Sequence, residues 1–299
     1  MMDAVRKKTL PRGIVLAVVA ASAVTVGLLS AHTNLRTVWQ KIASPAATPF
    51  AIFGRFHAVW FACCVALAAL CGAVAFRLSE KRRKAALDSV VFLCGTAFLL
   101  LEVFKQFLWC FAVSEGGYPF AIFPFQFCSL PLYLCPAAPF LPTRAKTACY
   151  RFLALYGTVG GALVVGYPDL SAITALAVHS MLWHTVMIAL GVFLLISCGV
   201  GADFRAEWGS ATVVFLLSFA AATLLNLVLR KTGVNLFYMS PYHTTYFWVI
   251  GDVQTRAGWG AAALLYLHLF AFAAAFPMWF SGKMLLLLRR KQTKKKKER

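Results

Sequence analysis

The chain has 299 residues, of which 61% are hydrophobic and 13% charged; its mean hydropathy is +0.76 and its formal net charge +19. A soluble domain is about half apolar and about one-quarter charged, so this composition excludes a soluble fold and requires a bilayer as part of the solvent. The net charge suggests nucleic acid, but the position of the cations argues against that partner: they cluster at Arg6–Arg12, Arg77–Lys84, Arg144–Arg151 and Arg289–Arg299, between apolar runs and on no one amphipathic face.

In chain order, residues 1–13 read as a basic cytoplasmic N-terminus, 14–282 as a single transmembrane helical domain and 283–299 as a basic cytoplasmic tail. A transmembrane helix needs roughly 20 mostly apolar residues. Such runs predict an all-α, polytopic bundle of about eight helices, near Ile14–Ala31, His57–Phe76, Ala86–Val113, Pro119–Leu141, Ala148–Tyr167, Leu170–Val200, Ser210–Leu229 and Ala257–Phe280. The first is longer than the h-region of about 7–15 residues in a signal peptide, and reads as an uncleaved helix. Cytoplasmic loops carry excess Lys and Arg. With eight crossings the large cation clusters all fall on the side of both termini, which the rule makes cytoplasmic. The run Lys294–Lys297 is placed to meet anionic headgroups, although a solvated tail explains it equally simply.

The fourth run holds Pro119, Pro124, Pro131, Pro136, Pro139 and Pro142. Interior prolines remove helical hydrogen bonds and force kinks, and broken helices at mid-depth are a common way to build a membrane site. Gly157 and Gly161 form a GxxxG that permits close helix approach. The nine cysteines lie in or beside apolar runs without CxxC or HExxH spacing, so no disulfide frame, zinc site or cofactor is expected.

Polar groups inside a membrane are costly and often functional. Counted from the outer helix ends at about 1.5 Å per residue, Glu102, Gln126, Cys128, His179, His184 and His268 share one layer. Glu102 and Lys105 are neighbours on one helical face and read first as a self-neutralising pair. His179 and His184 are five residues apart, about 140° around a helix, so at most one serves a common point. A nucleophilic Cys needs a base, usually His. Cys128 lies between Pro124 and Pro131, at the depth of a histidine, whereas an isolated membrane Cys is more simply inert packing. The outer segment Thr232–His243 is aromatic for a loop and reads equally as a lid dipping into the bundle or as an aromatic belt.

Four ordered stretches resemble the YwaF-type bacterial integral membrane family. They are Phe125-Gln-Phe-Cys-Ser-Leu130, Gly157–Leu163 with Pro168-Asp-Leu170, the His184 region, and Asn226 with Gly233-Val-Asn-Leu-Phe-Tyr238. The first is similar to that family's His-Leu-Cys-Ser element, with Gln126 standing where His is usual. That family is similar to a eukaryotic polytopic acyltransferase acting on ether lysophospholipids. The resemblance implies Cys128 and His184 as catalytic pair. In the phospholipid acyl transfer then expected, Gln126 donates to the developing oxyanion and Asn235 and Tyr238 hold the lipid headgroup or close the site, with Glu102 in the substrate region. Membrane phospholipids are then the partners, and a bacterial inner membrane the location. A transporter or flippase with a polar mid-membrane pathway, and a non-catalytic lipid-binding or assembly protein, are the alternatives.

Overall fold

A computed structural model describes the backbone of residues 2–32, 35–114, 118–201 and 203–297, and side chains within 12–31, 35–114, 118–201 and 203–283. The side chains of Arg6–Lys8 and of the tail from Arg289, with the headgroup contact expected of Lys294–Lys297, lie outside the described residues. The helices are α1 (Met2–His32), α2 (Leu35–Ile42), α3 (Arg55–Arg77), α4 (Glu80–Leu108), α5 (Leu130–Ala137), α6 (Thr143–Phe152), α7 (Thr158–Gly166), α8 (Thr174–Ser197), α9 (Phe204–Val228) and α10 (Trp248–Lys297). Gly258, at φ 85°, interrupts α10. A π-helical stretch, Trp109–Val113, prolongs α4, and another, Leu153–Gly157, joins α6 to α7. Seven of the described helical stretches are long and apolar enough to cross a membrane. The chain is a multi-pass, all-α membrane protein.

The fourth expected helix takes another form. The continuous helical stretch there is Phe127–Phe140, built from α5 and the flanking 3₁₀ turns Phe127–Ser129 and Ala138–Phe140, and a separate 3₁₀ turn, Phe120–Ile122, precedes it. Proline placement explains this. Pro131 sits in the first turn of α5, where proline is tolerated, whereas Pro119 and Pro124 flank the single 3₁₀ turn Phe120–Ile122 and leave the rest of 118–126 irregular. The short element nevertheless returns the chain across the bundle. Lys146 of α6 pairs with Asp88 near the start of α4 at 2.8 Å, and Tyr150 donates to the same carboxylate at 2.7 Å. Arg12 reaches Ser89, Arg151 reaches Ser210, and Ser281 donates to Val200 O. Arg12 and Ser281 therefore share one face of the bundle with Arg77–Lys84 and Arg144–Arg151. The opposite face is tied by Ala46 N–H donating to Ala172 O and by His57, which accepts from Phe53 N–H and donates to Val165 O.

The interior is organised by glycines, though not by the GxxxG spacing. A Cβ on Gly157 would meet nothing within 4 Å. On Gly160 it would stand 2.5 Å from Phe127 Cε1, and on Gly161 2.8 Å from Ile188 Cγ1 and 3.0 Å from His184 O. The adjacent pair thus presses α7 against the start of the broken element on one side and against α8 on the other. The wide π turn ends at Gly157 and shifts the close contact off the expected register.

Gly161→Ala is expected to lower stability by about 1–3 kcal/mol, the usual cost of overpacking, because the opposing backbone at His184 has no rotamer with which to yield. Gly157→Ala should cost much less, because Gly157 is buried but an added methyl would meet nothing within 4 Å. Thermal unfolding of the two variants in the same detergent checks the order; equal losses would remove the glycine pair from this account.

Candidate functional site

The site forms where the broken element meets α7, α8 and the loop between α9 and α10. Phe127 is its hub. The ring lies 5.0 Å from Phe270, 5.8 Å from Phe215, 5.9 Å from Phe237 and 6.2 Å from Phe152. These pairs are mostly edge-on, the arrangement ring quadrupoles favour. With Phe127 anchored, the next residue, Cys128, is directed at α7: its Sγ lies 3.6 Å from where a Gly160 Cβ would be. The Cys128 carbonyl accepts from Trp183 Nε1 of α8 at 2.9 Å.

His184 follows Trp183 on α8 and is buried. Its Nδ1 lies 2.7 Å from Ser180 O. A carbonyl can only accept, so the proton resides on Nδ1 and the lone pair on Nε2. The imidazole is thereby held in the tautomer that can take a proton at Nε2. The Cys128 thiol approaches α7 at Gly160, and the main-chain carbonyl of His184 approaches it at Gly161.

Expected site residues part company here. Glu102 is buried, 2.8 Å from Lys105 Nζ, and accepts from Gln106 Nε2 at 2.6 Å. Gln106 also donates to Ile122 O at 3.1 Å, so this cluster fastens the irregular 118–126 segment to α4. The self-neutralising reading of the pair agrees with this geometry. His179 bonds Leu101 O through Nε2 at 3.0 Å and stacks between Phe104 and Trp183. His268 is exposed on the outside of the bundle, bonded to Leu264 O. It shares depth with the others but not a cluster, because α10 turns it away. Among the described residues, no group of three or more His, Cys, Asp or Glu forms a potential metal site.

The aromatic segment Thr232–His243 dips into the bundle. Val234, Leu236, Phe237, Met239 and Ser240 are buried. Asn226 of α9, fully buried, holds it by both ends of its amide: Nδ2 donates to Leu236 O at 3.1 Å, and Oδ1 accepts from Leu236 N–H at 2.8 Å. Asn235 Oδ1 accepts from Ser240 N–H at 2.9 Å, and Asn235 O accepts from Gln126 Nε2 at 2.9 Å. Gln126 therefore ties the start of the broken element to this loop, while its Oε1 is buried without a protein partner. Phe237 and Tyr238 both have left-handed backbones, φ 57° and 54°. Such strain in bulky residues persists only where surroundings impose it. It drives Phe237 inward onto Phe127 and leaves Tyr238 half-exposed against Tyr246 and Phe247.

With this geometry the chain can be compared with known proteins. A family model for the TMEM164 family matches residues 52–280. The chain belongs to the TMEM164 family. The match spans α3 through most of α10 and so covers the glycine pair, Cys128, His184 and the inward loop of this TMEM164-family bundle. No curated protein and no solved structure matches the chain.

Trp183, Asn226 and Gly160 carry much of the site, and sequence reasoning gives none of them a role in building it. One signal is present. Pro131 stands three residues after Cys128 and leaves that carbonyl short of a local donor.

Asn226→Ala is expected to cost about 2–4 kcal/mol, since it strands a buried N–H and a buried carbonyl of Leu236 together. Hydrogen exchange should rise across 233–240 and not along α8. Unchanged exchange in that loop would show that Asn226 does not hold it.

Proposed function

We propose that the chain transfers acyl groups between phospholipids, with Cys128 as nucleophile and His184 as base. The observation that carries the reading is the fixed tautomer of His184: Nδ1 is committed to Ser180 O, and Nε2 is left as acceptor one residue after the Trp183 that bonds Cys128 O.

The chemistry follows from that arrangement. Nε2 takes the thiol proton, and the thiolate attacks the ester carbonyl of a donor phospholipid. The ester C–O bond breaks, a thioester forms on Sγ, and the departing lysolipid alkoxide takes the proton from the imidazolium. An acceptor lysolipid hydroxyl then gives its proton to Nε2 and attacks the thioester, and the thiolate leaves. Gln126, bound to Asn235 O, positions the segment and has one further amide hydrogen for the developing oxyanion. Tyr238, half-exposed beside the inward loop, is placed for the headgroup. Glu102, paired and bonded to Gln106, maintains the wall of the substrate region.

The cation-rich face that holds Arg12 and Ser281 faces the cytoplasm under the same positive-inside rule, and the inward loop opens on the other side. Cytoplasmic ends with an envelope-facing site are the polarity of a bacterial inner membrane. Transport would instead require a pathway through the Glu102–Lys105 cluster, whose charges already neutralise each other.

Purified protein incubated with acyl-radiolabelled phospholipid is expected to acquire hydroxylamine-releasable label. Cys128→Ala should carry none, and His184→Ala should lose about 10²–10⁴-fold in labelling rate, the span of general-base catalysis. Label that persists in folded Cys128→Ala would end the mechanism. Activity that depends on Glu102 but not on Cys128 would favour transport.

A further inference from the structure

The proposed nucleophile has an unusual dependence on one side chain. In the 3₁₀ turn Phe127–Ser129, Leu130 N–H donates to Phe127 O. The next bond of that pattern would run from residue 131 to Cys128 O, but residue 131 is Pro and has no N–H. In a membrane interior a carbonyl without a partner is expensive and cannot turn to water. The indole N–H of Trp183 supplies what Pro131 lacks, at 2.9 Å.

That indole is itself held firmly. Trp183 is buried, with its ring 4.8 Å from Phe98 and 5.6 Å from His179. Its orientation is therefore set by α4 and by its own helix before the Cys128 peptide is considered. Residues 183 and 184 are consecutive on α8, so a single turn of that helix holds the Cys128 main chain and carries the imidazole. The placement of the Cys128 peptide relative to the helix that carries His184 then rests on one hydrogen bond to a rigid helix.

We infer that Trp183 is a positioning residue for the reaction. Its indole N–H replaces the backbone donor missing at Pro131, and so fixes the Cys128 thiol relative to His184. The inference rests on the acyl-transfer reading above, and adds to it the element that sets nucleophile geometry. Trp183 touches neither substrate nor the transferring atoms; it acts through the Cys128 peptide.

Compensation provides the test. Trp183→Phe keeps an aromatic ring but removes the donor. Pro131→Ala in the same chain restores an N–H at the position from which the 3₁₀ pattern would reach Cys128 O. Thioester formation from radiolabelled phospholipid is measured against donor concentration for wild type, Trp183→Phe, Pro131→Ala and the double variant. We expect Trp183→Phe to lose about tenfold or more in the maximal rate, with half-saturation unchanged, as for a displaced reacting group. The double variant should recover most of that loss, and Pro131→Ala alone should stay near wild type. A role for Trp183 in packing alone predicts the same loss in the single and double variants, and that result would overturn the inference. So would full activity in Trp183→Phe. If Trp183→Phe does not fold, a folded and active double variant supports the inference, and an unfolded or inactive one overturns it. Absence of label in wild type would instead end the acyl-transfer reading, and this inference with it.

Discussion

The close approach of α7 to its neighbours at Gly160 and Gly161 is the constraint on which the rest of this bundle depends. A side chain at either position would push back a neighbour: the Phe127 ring on one side, and the main chain of α8 at His184 on the other. Without the first contact Phe127 would have no seat, and the four rings that converge on it would lose their centre. Without the second, α8 would stand away from α7 and carry Trp183 and His184 with it. Two absent side chains therefore set the spacing of three elements that are distant in sequence. Small residues serve this purpose in membranes because lipid offers little hydrophobic drive for helix association, and close contact must supply the attraction.

A second requirement follows from the first. The element that meets Gly160 is broken by prolines, and a broken helix in lipid exposes backbone groups that water cannot reach. The structure answers such exposed carbonyls, here and in the inward loop, with side chains. Trp183 serves Cys128 O, Gln106 serves Ile122 O, Tyr133 serves Pro124 O, and Gln126 serves Asn235 O. Asn226 does the same for both polar groups of Leu236. The polar residues around the broken element and the inward loop are thus occupied chiefly with main chain. Several groups that depth alone would mark as substrate ligands are holding an irregular backbone in place.

Much of the fold is legible in the sequence, and the reasons are physical. Helix number follows from apolar run lengths, and charge clusters fall on one face because their loops do. Where structure and sequence pattern diverge, the cause is local backbone geometry. Prolines at 119 and 124 leave an irregular stretch where apolar length predicts a whole helix, since the effect of a proline depends on whether it stands in the first turn or the interior. The π turn ending at Gly157 moves the tight contact from a GxxxG to an adjacent pair, and no period-based reading anticipates an extra residue in a turn. Depth along the helices brings His179 and His184 to the correct interior but also includes His268, because depth says nothing of rotation about the helix. The roles of Gln126, Asn235 and Trp183 are not legible, for a contact across 109 residues or 55 residues leaves no trace in local pattern.

His57, His179, His184 and His268 differ in what their hydrogen bonds leave free, and this bears directly on the chemistry. His57 has both ring nitrogens engaged, one accepting from Phe53 N–H and one donating to Val165 O, so it is structural. His268 looks out of the bundle. His179 has one nitrogen open, but it stands a turn and more from the residues at Cys128, with Phe104 and Trp183 against its ring. His184 combines an open Nε2, burial, and a backbone placed by the same glycine pair that receives the Cys128 thiol. With Gln126 in the position where the resembling family usually has His, a second base beside the cysteine is absent from that segment. The proposed acyl transfer assigns the deprotonation of Cys128 to His184, and under that proposal the Nδ1–H held by Ser180 O, which selects the tautomer, belongs to the site as much as the ring does.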